Sequence, residues 1–181
     1  MNPSSTNPSS TDPSTLPHPL GRLGAVVRED GDVLLRFERR YDAPAADVWS
    51  ALTDPDRLAR WLGRWSGDPA SGRVLLTMID EGAHPEPVTI DRCEPPTRLE
   101  VRMTTADGPW PLAVLLTETD GGTALLFTHR LAEPYDASGV GPGWHYYLDR
   151  LDAVLAGTAV PEDFTAYHPA LADAYPVPAG G

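Results

Sequence analysis

Five consecutive segments between Arg73 and Leu131 alternate apolar and polar residues, and this alternation constrains the fold more than any other feature of the chain. A period of two is typical of a β-strand that buries one face. The alternation is most regular in RLEVRMT, where Leu99, Val101 and Met103 share the apolar face. Turn sequences such as CEPPTR and TDGGT separate neighbouring segments, so we predict antiparallel pairing. The predicted strands are RVLLTMID, PVTIDRC, RLEVRMTT, PLAVLLTET and TALLFTHRL.

A sheet with one apolar face needs a cover, and the segment GPGWHYYLDRLDAVLAG is the one long enough to supply it. At helical spacing, its residues Trp144, Leu148, Leu151 and Leu155 fall within one narrow stripe. Gly157 is typical of a helix end. The pattern therefore predicts an α+β fold in which a curved antiparallel sheet wraps around a long C-terminal helix.

The segments before these strands predict a hairpin and a pair of short helices. The Asp-Gly pair within EDGD separates two apolar runs, which is a hairpin signal. In DVWSALTDPDRLARWLG we expect a first helix with Pro44 at its first position. A second helix is predicted to begin with Asp54 as its N-cap and Pro55 as its first residue. We expect Trp49 to pack within this pair and GRWSGDPASG to form the loop that ends it.

Composition excludes several classes of function. The formal net charge of -12 does not provide the clustered Lys and Arg residues of a nucleic-acid surface. The chain has no apolar run of about 18 residues, so we expect no membrane span. A single cysteine is typical of a reducing compartment, and the first residues lack the basic and apolar parts of a secretory signal. We therefore expect a cytoplasmic protein that contacts neither nucleic acid nor membrane.

The organisation of the chain follows from its length and its local composition. A chain of 181 residues is long enough for one domain with a substantial core. The opening MNPSSTNPSSTDPSTLPHP is rich in Pro, Ser and Thr, so we predict that residues 1–20 form a disordered leader. The domain is predicted to span residues 22–158. Residues 159–181 are expected to form a tail packed on or near it, anchored by Phe164, Tyr167, Leu171 and Tyr175.

Two motifs of this domain resemble a known superfamily. RFERRYDAPAADVWSALTDPDRLARWLG and GWHYYLDRL are similar to START-like (SRPBCC) proteins, which have the helix-grip fold, also called birch-pollen-allergen-like. Within the superfamily, the chain most resembles bacterial proteins homologous to the activator of the heat-shock protein 90 ATPase. The resemblance covers residues 22–158. It implies a hydrophobic cavity between the sheet and the long helix, opening near the short helices.

The predicted ligand-binding residues come from the inward faces of the strands, from the stripe of the long helix and from the second short helix, which usually rims the cavity in this fold. They are Trp61, Val101, Met103, Leu116, Phe127, His129, Trp144 and Leu148.

His129 is the one candidate catalytic residue, since it alternates with Leu125, Phe127 and Leu131 and should therefore face inward. An inward imidazole can fix the polar end of a ligand or act as a general base near neutral pH. The alternative is a core histidine satisfied by a backbone or water hydrogen bond. Arg39 shares the inward parity of its strand, and its guanidinium would suit an anionic ligand head.

The remaining polar residues predict no further site. His145 lies off the apolar stripe of the long helix on the side of Asp149 and Asp152, which predicts a surface contact. Cys93 is interpreted as a half-buried small hydrophobe at a strand end. No two histidines have the spacing of helical metal ligands, and no CxxC, Gly-rich phosphate loop or GxSxG is present. We therefore expect neither a metal nor a cofactor.

The resemblance leaves three functions open. Binding of a small hydrophobic or aromatic ligand in the internal cavity is favoured by the apolar inward side chains. A polyketide cyclase-like or aromatase-like enzyme, or a hydrolase, would use the same cavity but would need an acid–base pair inside it. A co-chaperone-like interaction protein is suggested by the family alone. The identity of the ligand and the choice between monomer and homodimer stay open.

Overall fold

The computed structural model describes residues 22–79, 83–106 and 108–177 of the chain. Outside these ranges lie the predicted leader at residues 1–20, Asp80 at the end of the first predicted strand of the sheet, and residues 178–181 of the predicted tail. The strands are β1 Ala25–Glu29, β2 Asp32–Tyr41, β3 Gly63–Ser66, β4 Arg73–Met78, β5 Glu86–Glu94, β6 Arg98–Thr105, β7 Gly108–Thr119 and β8 Gly122–Leu131. The helices are α1 Ala45–Thr53, α2 Pro55–Leu58 and α3 Ala137–Ala156.

The strands form one antiparallel sheet in the order β1-β2-β8-β7-β6-β5-β4-β3, and α3 lies against its inner face. This arrangement confirms the predicted α+β helix-grip architecture. The register of β2 against β8 places Phe37 opposite Phe127 and Leu35 opposite His129. The inward parity predicted for β2 is also confirmed, because Leu35 and Phe37 are fully buried.

The hairpin predicted from EDGD joins β1 to β2. Its two loop residues, Asp30 and Gly31, have φ angles of 51° and 89°. A two-residue loop with both angles positive matches the twist of the adjoining strands, and Asp-Gly is a preferred sequence for it. Glu29 and Asp32 close the register on either side.

The two short helices meet at a capped corner. Asp54 Oδ1 accepts hydrogen bonds from the backbone N–H groups of Asp56 and Arg57 at 2.9 and 3.0 Å, and Pro55 occupies the first turn of α2. This confirms the predicted N-cap. Helix α1 begins at Ala45, one residue later than predicted, and Pro44 is its N-cap rather than its first residue. We call residues 54–62, which contain α2 and the turn after it, the helix corner.

The predicted loop GRWSGDPASG was wrong in its first part. Residues Gly63–Ser66 form the edge strand β3, with Trp65 opposite Leu76 of β4, and only Pro69–Ser71 forms a single 3₁₀ turn. Four residues are too few to show a period of their own, so the strand depends on pairing with β4. Gly63 permits that pairing, because a Cβ there would overlap the carbonyl oxygen of Thr77.

Helix α3 begins at Ala137, earlier than the predicted start at Gly141. The side chain of Asp136 accepts a hydrogen bond from the N–H of Gly139 at 2.9 Å and caps the additional turn. The helix ends before Gly157, whose φ of 67° is left-handed, as its sequence predicts. No helix in the described part of the chain is long and apolar enough to cross a membrane.

The C-terminal tail, residues 159–177, returns along α3. Two of its aromatic residues are buried, Tyr167 at 0% exposure and Tyr175 at 1%. The ring of Tyr175 lies on Gly141, where a Cβ would overlap it. Phe164 is 42% exposed and stacks on His168.

Candidate functional site

A cavity of about 300 Å³ lies between the inner face of the sheet, the helix corner and α3. The sheet contributes residues from β3 to β8, and α3 contributes Trp144 and Leu148. Of the lining residues, Pro69 and Cys93 are exposed. The mouth therefore lies between the 3₁₀ turn after β3 and the end of β5.

Four of the five tryptophans line this cavity, and two of them are fixed by the end of α1. Trp61 Nε1 donates to the carbonyl oxygen of Ala51 at 2.9 Å, and Trp65 Nε1 donates to that of Thr53 at 2.8 Å. The last carbonyl groups of a helix have no partner within the helix. The two indoles thus satisfy two terminal carbonyl groups of α1, and their carbon surfaces face the cavity.

A third lining indole is fixed by His129. Trp144 Nε1 donates to His129 Nδ1 at 3.1 Å, and the ring of Trp110 lies 4.9 Å from the imidazole. His129 is 2% exposed, and burial lowers its pKa to about 4. The imidazole is therefore neutral at pH 7, with Nδ1 as the acceptor and the proton on Nε2. Its observed role is to orient Trp144.

The structure brings together six of the eight predicted ligand-binding residues. Lining the cavity are Trp61, Val101, Met103, Phe127, Trp144 and Leu148. Leu116 and His129 are buried but do not line it. Leu116 lies beyond the lining positions Leu112 and Val114 on β7, where the inner face of the sheet is packed core.

Sequence reasoning missed Trp49, Trp65 and Cys93 as lining residues. The sequence predicts that Trp49 packs within the helix pair and that Trp65 lies in a loop, whereas in the structure both rings line the cavity. Cys93 was interpreted as half-buried, but it is exposed. The register of β5 against β6 shifts between Ile90 and Arg92, and such an irregularity inverts the side-chain parity beyond it. The shift brings Cys93 to the mouth of the cavity.

The cavity wall is almost entirely apolar. Among the described residues that line it there is no Asp, Glu, His, Lys or Arg. Its polar side chains are Cys93 and Thr53, and the hydroxyl of Thr53 donates to the carbonyl oxygen of Trp49 at 2.8 Å. An unpaired charge in such surroundings would lose its hydration without compensation. The wall can therefore stabilise an apolar guest.

Arg39 faces inward as predicted and is 6% exposed, but it does not serve the cavity. Its Nη2 donates to Asp149 Oδ1 at 3.1 Å, and its Nε donates to Asp152 Oδ2 at 3.0 Å. Tyr41 donates to Asp152 Oδ1 at 2.8 Å. Burial raises the pKa of Asp152, with Arg39 acting in the opposite direction. The guanidinium is thus paired with carboxylates of α3 and is not among the residues that line the cavity.

His145 and Asp149 do contact each other, with Nε2 and Oδ2 3.5 Å apart. The predicted surface location of this contact is wrong, because the C-terminal tail covers that side of α3. His145 is fully buried, with its Nδ1 2.8 Å from the hydroxyl oxygen of Tyr175. Asp149 is 5% exposed, and its Oδ2 accepts from Tyr167 at 3.0 Å. Burial, with Asp149 adding to it, raises the pKa of Tyr167 well above its usual range.

Metal binding finds no support in the described residues, which contain no group of three or more His, Cys, Asp or Glu side chains placed to hold an ion.

Comparison with known proteins identifies related chains. The family model described as "Activator of Hsp90 ATPase homolog 1-like protein" matches residues 42–156. The crystal structure of CalU16 from Micromonospora echinospora is 28% identical, with a TM-score of 0.67 over 87% of this chain and 96% of that one. A protein of Bordetella parapertussis, solved by NMR in solution, is 28% identical, with a TM-score of 0.65 over 93% of each chain.

DynU16, described as a protein of the dynemicin biosynthetic locus, shares the fold at 24% identity. Its TM-score is 0.61 over 72% of this chain and 50% of that one. No curated protein is similar enough to the chain to match it.

Proposed function

The chain belongs to the Activator of Hsp90 ATPase homolog 1-like family, and from that premise we propose that it binds a small, uncharged hydrophobic or aromatic ligand in the cavity beneath α3. The observation that carries the proposal is the wall itself. It is formed mainly by four tryptophans and by aliphatic side chains, without a charged residue among the described positions.

The size of the cavity and the polarity of its wall limit which ligands it can bind. A volume of about 300 Å³ lies at the lower end of the range of about 300–1,000 Å³ found for ligand sites. The N–H groups of Trp61, Trp65 and Trp144 are already used within the protein. A ligand that needs charged or directional polar partners would find few of them. We therefore favour a compact apolar or aromatic molecule.

The enzyme and co-chaperone alternatives have weaker support. A cyclase or hydrolase needs a proton donor or acceptor facing the substrate, whereas His129 is held by Trp144 outside the wall. Co-chaperone activity is suggested by the family name, and no surface feature described above favours it. Turnover of a bound ligand that is lost on replacement of His129 would restore the enzyme hypothesis.

A matched pair of fluorescent probes tests the proposal. N-phenylnaphthylamine is neutral, and anilinonaphthalene sulfonate has the same aromatic frame with an anionic group. We expect the neutral probe to bind saturably and the anionic probe to bind at least about tenfold more weakly, since burial of an unpaired charge is costly. Equal binding of both probes, or no binding of the neutral one, would contradict the proposal.

A cavity-filling variant locates the bound probe. Val101→Trp adds bulk inside the cavity, whereas Leu115→Trp adds the same indole on the outer face of the sheet, where Leu115 is 43% exposed. Binding should be lost in the first variant and retained in the second. Loss in both, or in neither, would place the probe elsewhere.

Cys93 gives an independent readout, because it is the only cysteine of the chain and lies at the cavity mouth. A saturating neutral probe should slow its alkylation by a thiol reagent. The same probe should leave the rate unchanged in the Val101→Trp variant.

A further inference from the structure

Arg150 of α3 is a second buried arginine, and its contacts differ from those of Arg39. It is 7% exposed, and its hydrogen bonds go to carbonyl and hydroxyl oxygens, whereas Arg39 is held by carboxylates. Its Nε donates to the carbonyl oxygen of Trp61 at 3.0 Å. Its Nη1 donates to the hydroxyl of Tyr146 at 3.1 Å and to the carbonyl oxygen of Pro161. One guanidinium thus joins the helix corner, α3 and the C-terminal tail.

Among the residues that Arg150 contacts, Trp61 lines the cavity. Its ring lines the cavity, and its indole N–H is held by the end of α1. Its carbonyl group, in the turn between α2 and β3, is held by Arg150. Both ends of the residue are therefore fixed by hydrogen bonds, one of which is charge-assisted and correspondingly strong. A shift of Arg150 would move the backbone that carries this part of the wall.

The C-terminal tail is the segment whose movement could alter the hydrogen bonds between Arg150, Trp61 and Pro161. Tyr167 binds Asp149 and Tyr175 binds His145, so the aromatic residues of the tail are held on the same side of α3. Pro161, the acceptor for Arg150, precedes both in the chain. A change that loosens the tail can therefore reach the guanidinium through the carbonyl group of Pro161.

We propose that Arg150 is a positioning residue that couples the C-terminal tail to Trp61, so that the tail sets the shape of the ligand cavity. This inference rests on the proposed function where it concerns ligand affinity, but the coupling itself exists in the ligand-free protein. The tail is then a working part of the site and regulates it from the outer side of α3.

Fluorine NMR of protein labelled with fluorotryptophan tests the coupling without any ligand. The five tryptophans give five resonances, and Trp61→Phe assigns the relevant one. Tyr167→Phe, which removes the hydrogen bond to Asp149, should shift or broaden the Trp61 resonance and leave that of Trp110 unchanged. The same change at Tyr135, whose hydroxyl donates to Glu133, is the matched control and should move neither.

Arg150→Met should itself shift the Trp61 resonance and should abolish its response to Tyr167→Phe. Arg150→Lys keeps the charge and one donor, so an intermediate response is expected; it also serves if the Met variant does not fold. A Trp61 resonance that ignores the tail, or that responds equally with and without the arginine, would overturn the coupling.

Ligand affinity supplies the second readout. We expect Arg150→Met to raise the Kd of N-phenylnaphthylamine about twofold to thirtyfold, the range expected for coupled positions, with partial recovery in Arg150→Lys. If the Kd is unchanged although the Trp61 resonance shifts, the effect of the coupling on ligand binding is overturned, and the coupling between the tail and Trp61 stands. Absence of probe binding to the native protein would instead contradict the proposed function and leave the NMR result standing.

Discussion

His129 is a polar side chain buried within the hydrophobic core. It accepts a hydrogen bond from Trp144 and lies against the ring of Trp110. Because burial lowers its pKa to about 4, the folded protein resists protonation of the imidazole. The unfolded chain, with an ordinary pKa of 6.5, does not. Stability should therefore fall as the pH decreases from the unfolded pKa toward the folded one.

This pH dependence can be measured with His129→Gln, which keeps an acceptor for Trp144 but does not titrate. Between about pH 7.5 and about pH 5, the native protein should lose about 2 kcal/mol of unfolding free energy that the variant retains. Urea denaturation at the two pH values gives the difference. The same change at His84, which is exposed, should leave the native pH dependence in place. Identical pH profiles for native protein and His129→Gln would contradict the assignment.

Individual side chains were predictable wherever strand parity was uninterrupted. Parity placed Val101, Met103 and Phe127 on the inner face, and all three line the cavity. Cys93 was misplaced because the register of β5 shifts before it, which periodicity does not reveal. His145 was misplaced because burial by a distant segment leaves no local sequence signal.

The helix corner depends on a single capping side chain. Asp54 satisfies two N–H groups of α2, a helix of only four residues. Its replacement by Ala should lower the unfolding free energy by about 1 kcal/mol. Asp56→Ala, which removes an exposed ion pair with Arg64, should change it by less than about 0.5 kcal/mol. Equal losses in urea denaturation would show that the cap is not the stabilising feature.

Elements with their own period were predictable, and elements that depend on a neighbour were not. Strands β4 to β8 and the hairpin were recovered because each carries an alternating or turn signal. Strand β3 was missed because its four residues pair with β4 without any period of their own. The first turn of α3 was missed because it depends on the cap from Asp136, which precedes a Gly-rich stretch of low helix propensity.

At the scale of the whole molecule, the packing of the tail on α3 is tested by two glycines of the same helix. A Cβ at Gly141 would overlap the ring of Tyr175, whereas at Gly143 it would meet no atom within 4 Å. Gly141→Ala should lower the unfolding free energy by about 1–3 kcal/mol through overpacking. Gly143→Ala should raise it by about 0.5–1 kcal/mol, because alanine is the better helix former. Two changes of the same sign would contradict the placement of the tail.

The site as a whole was only partly predictable, because part of it depends on contacts between segments that are distant in the chain. Its apolar character follows from the inward faces of the strands and from the stripe of α3. Its shape depends on hydrogen bonds between distant segments, such as those of Arg150 with Trp61 and Pro161. Such contacts become visible only once the segments have been placed side by side.

The pairing of β2 with β8 has a consequence for synthesis on the ribosome. Phe37 meets its partner Phe127 only after about ninety further residues have emerged. Until then a nascent chain must carry Val33, Leu35 and Phe37 without β8, which adjoins β2 on the side opposite β1, so chaperone recognition of the growing polypeptide should be strongest in that interval.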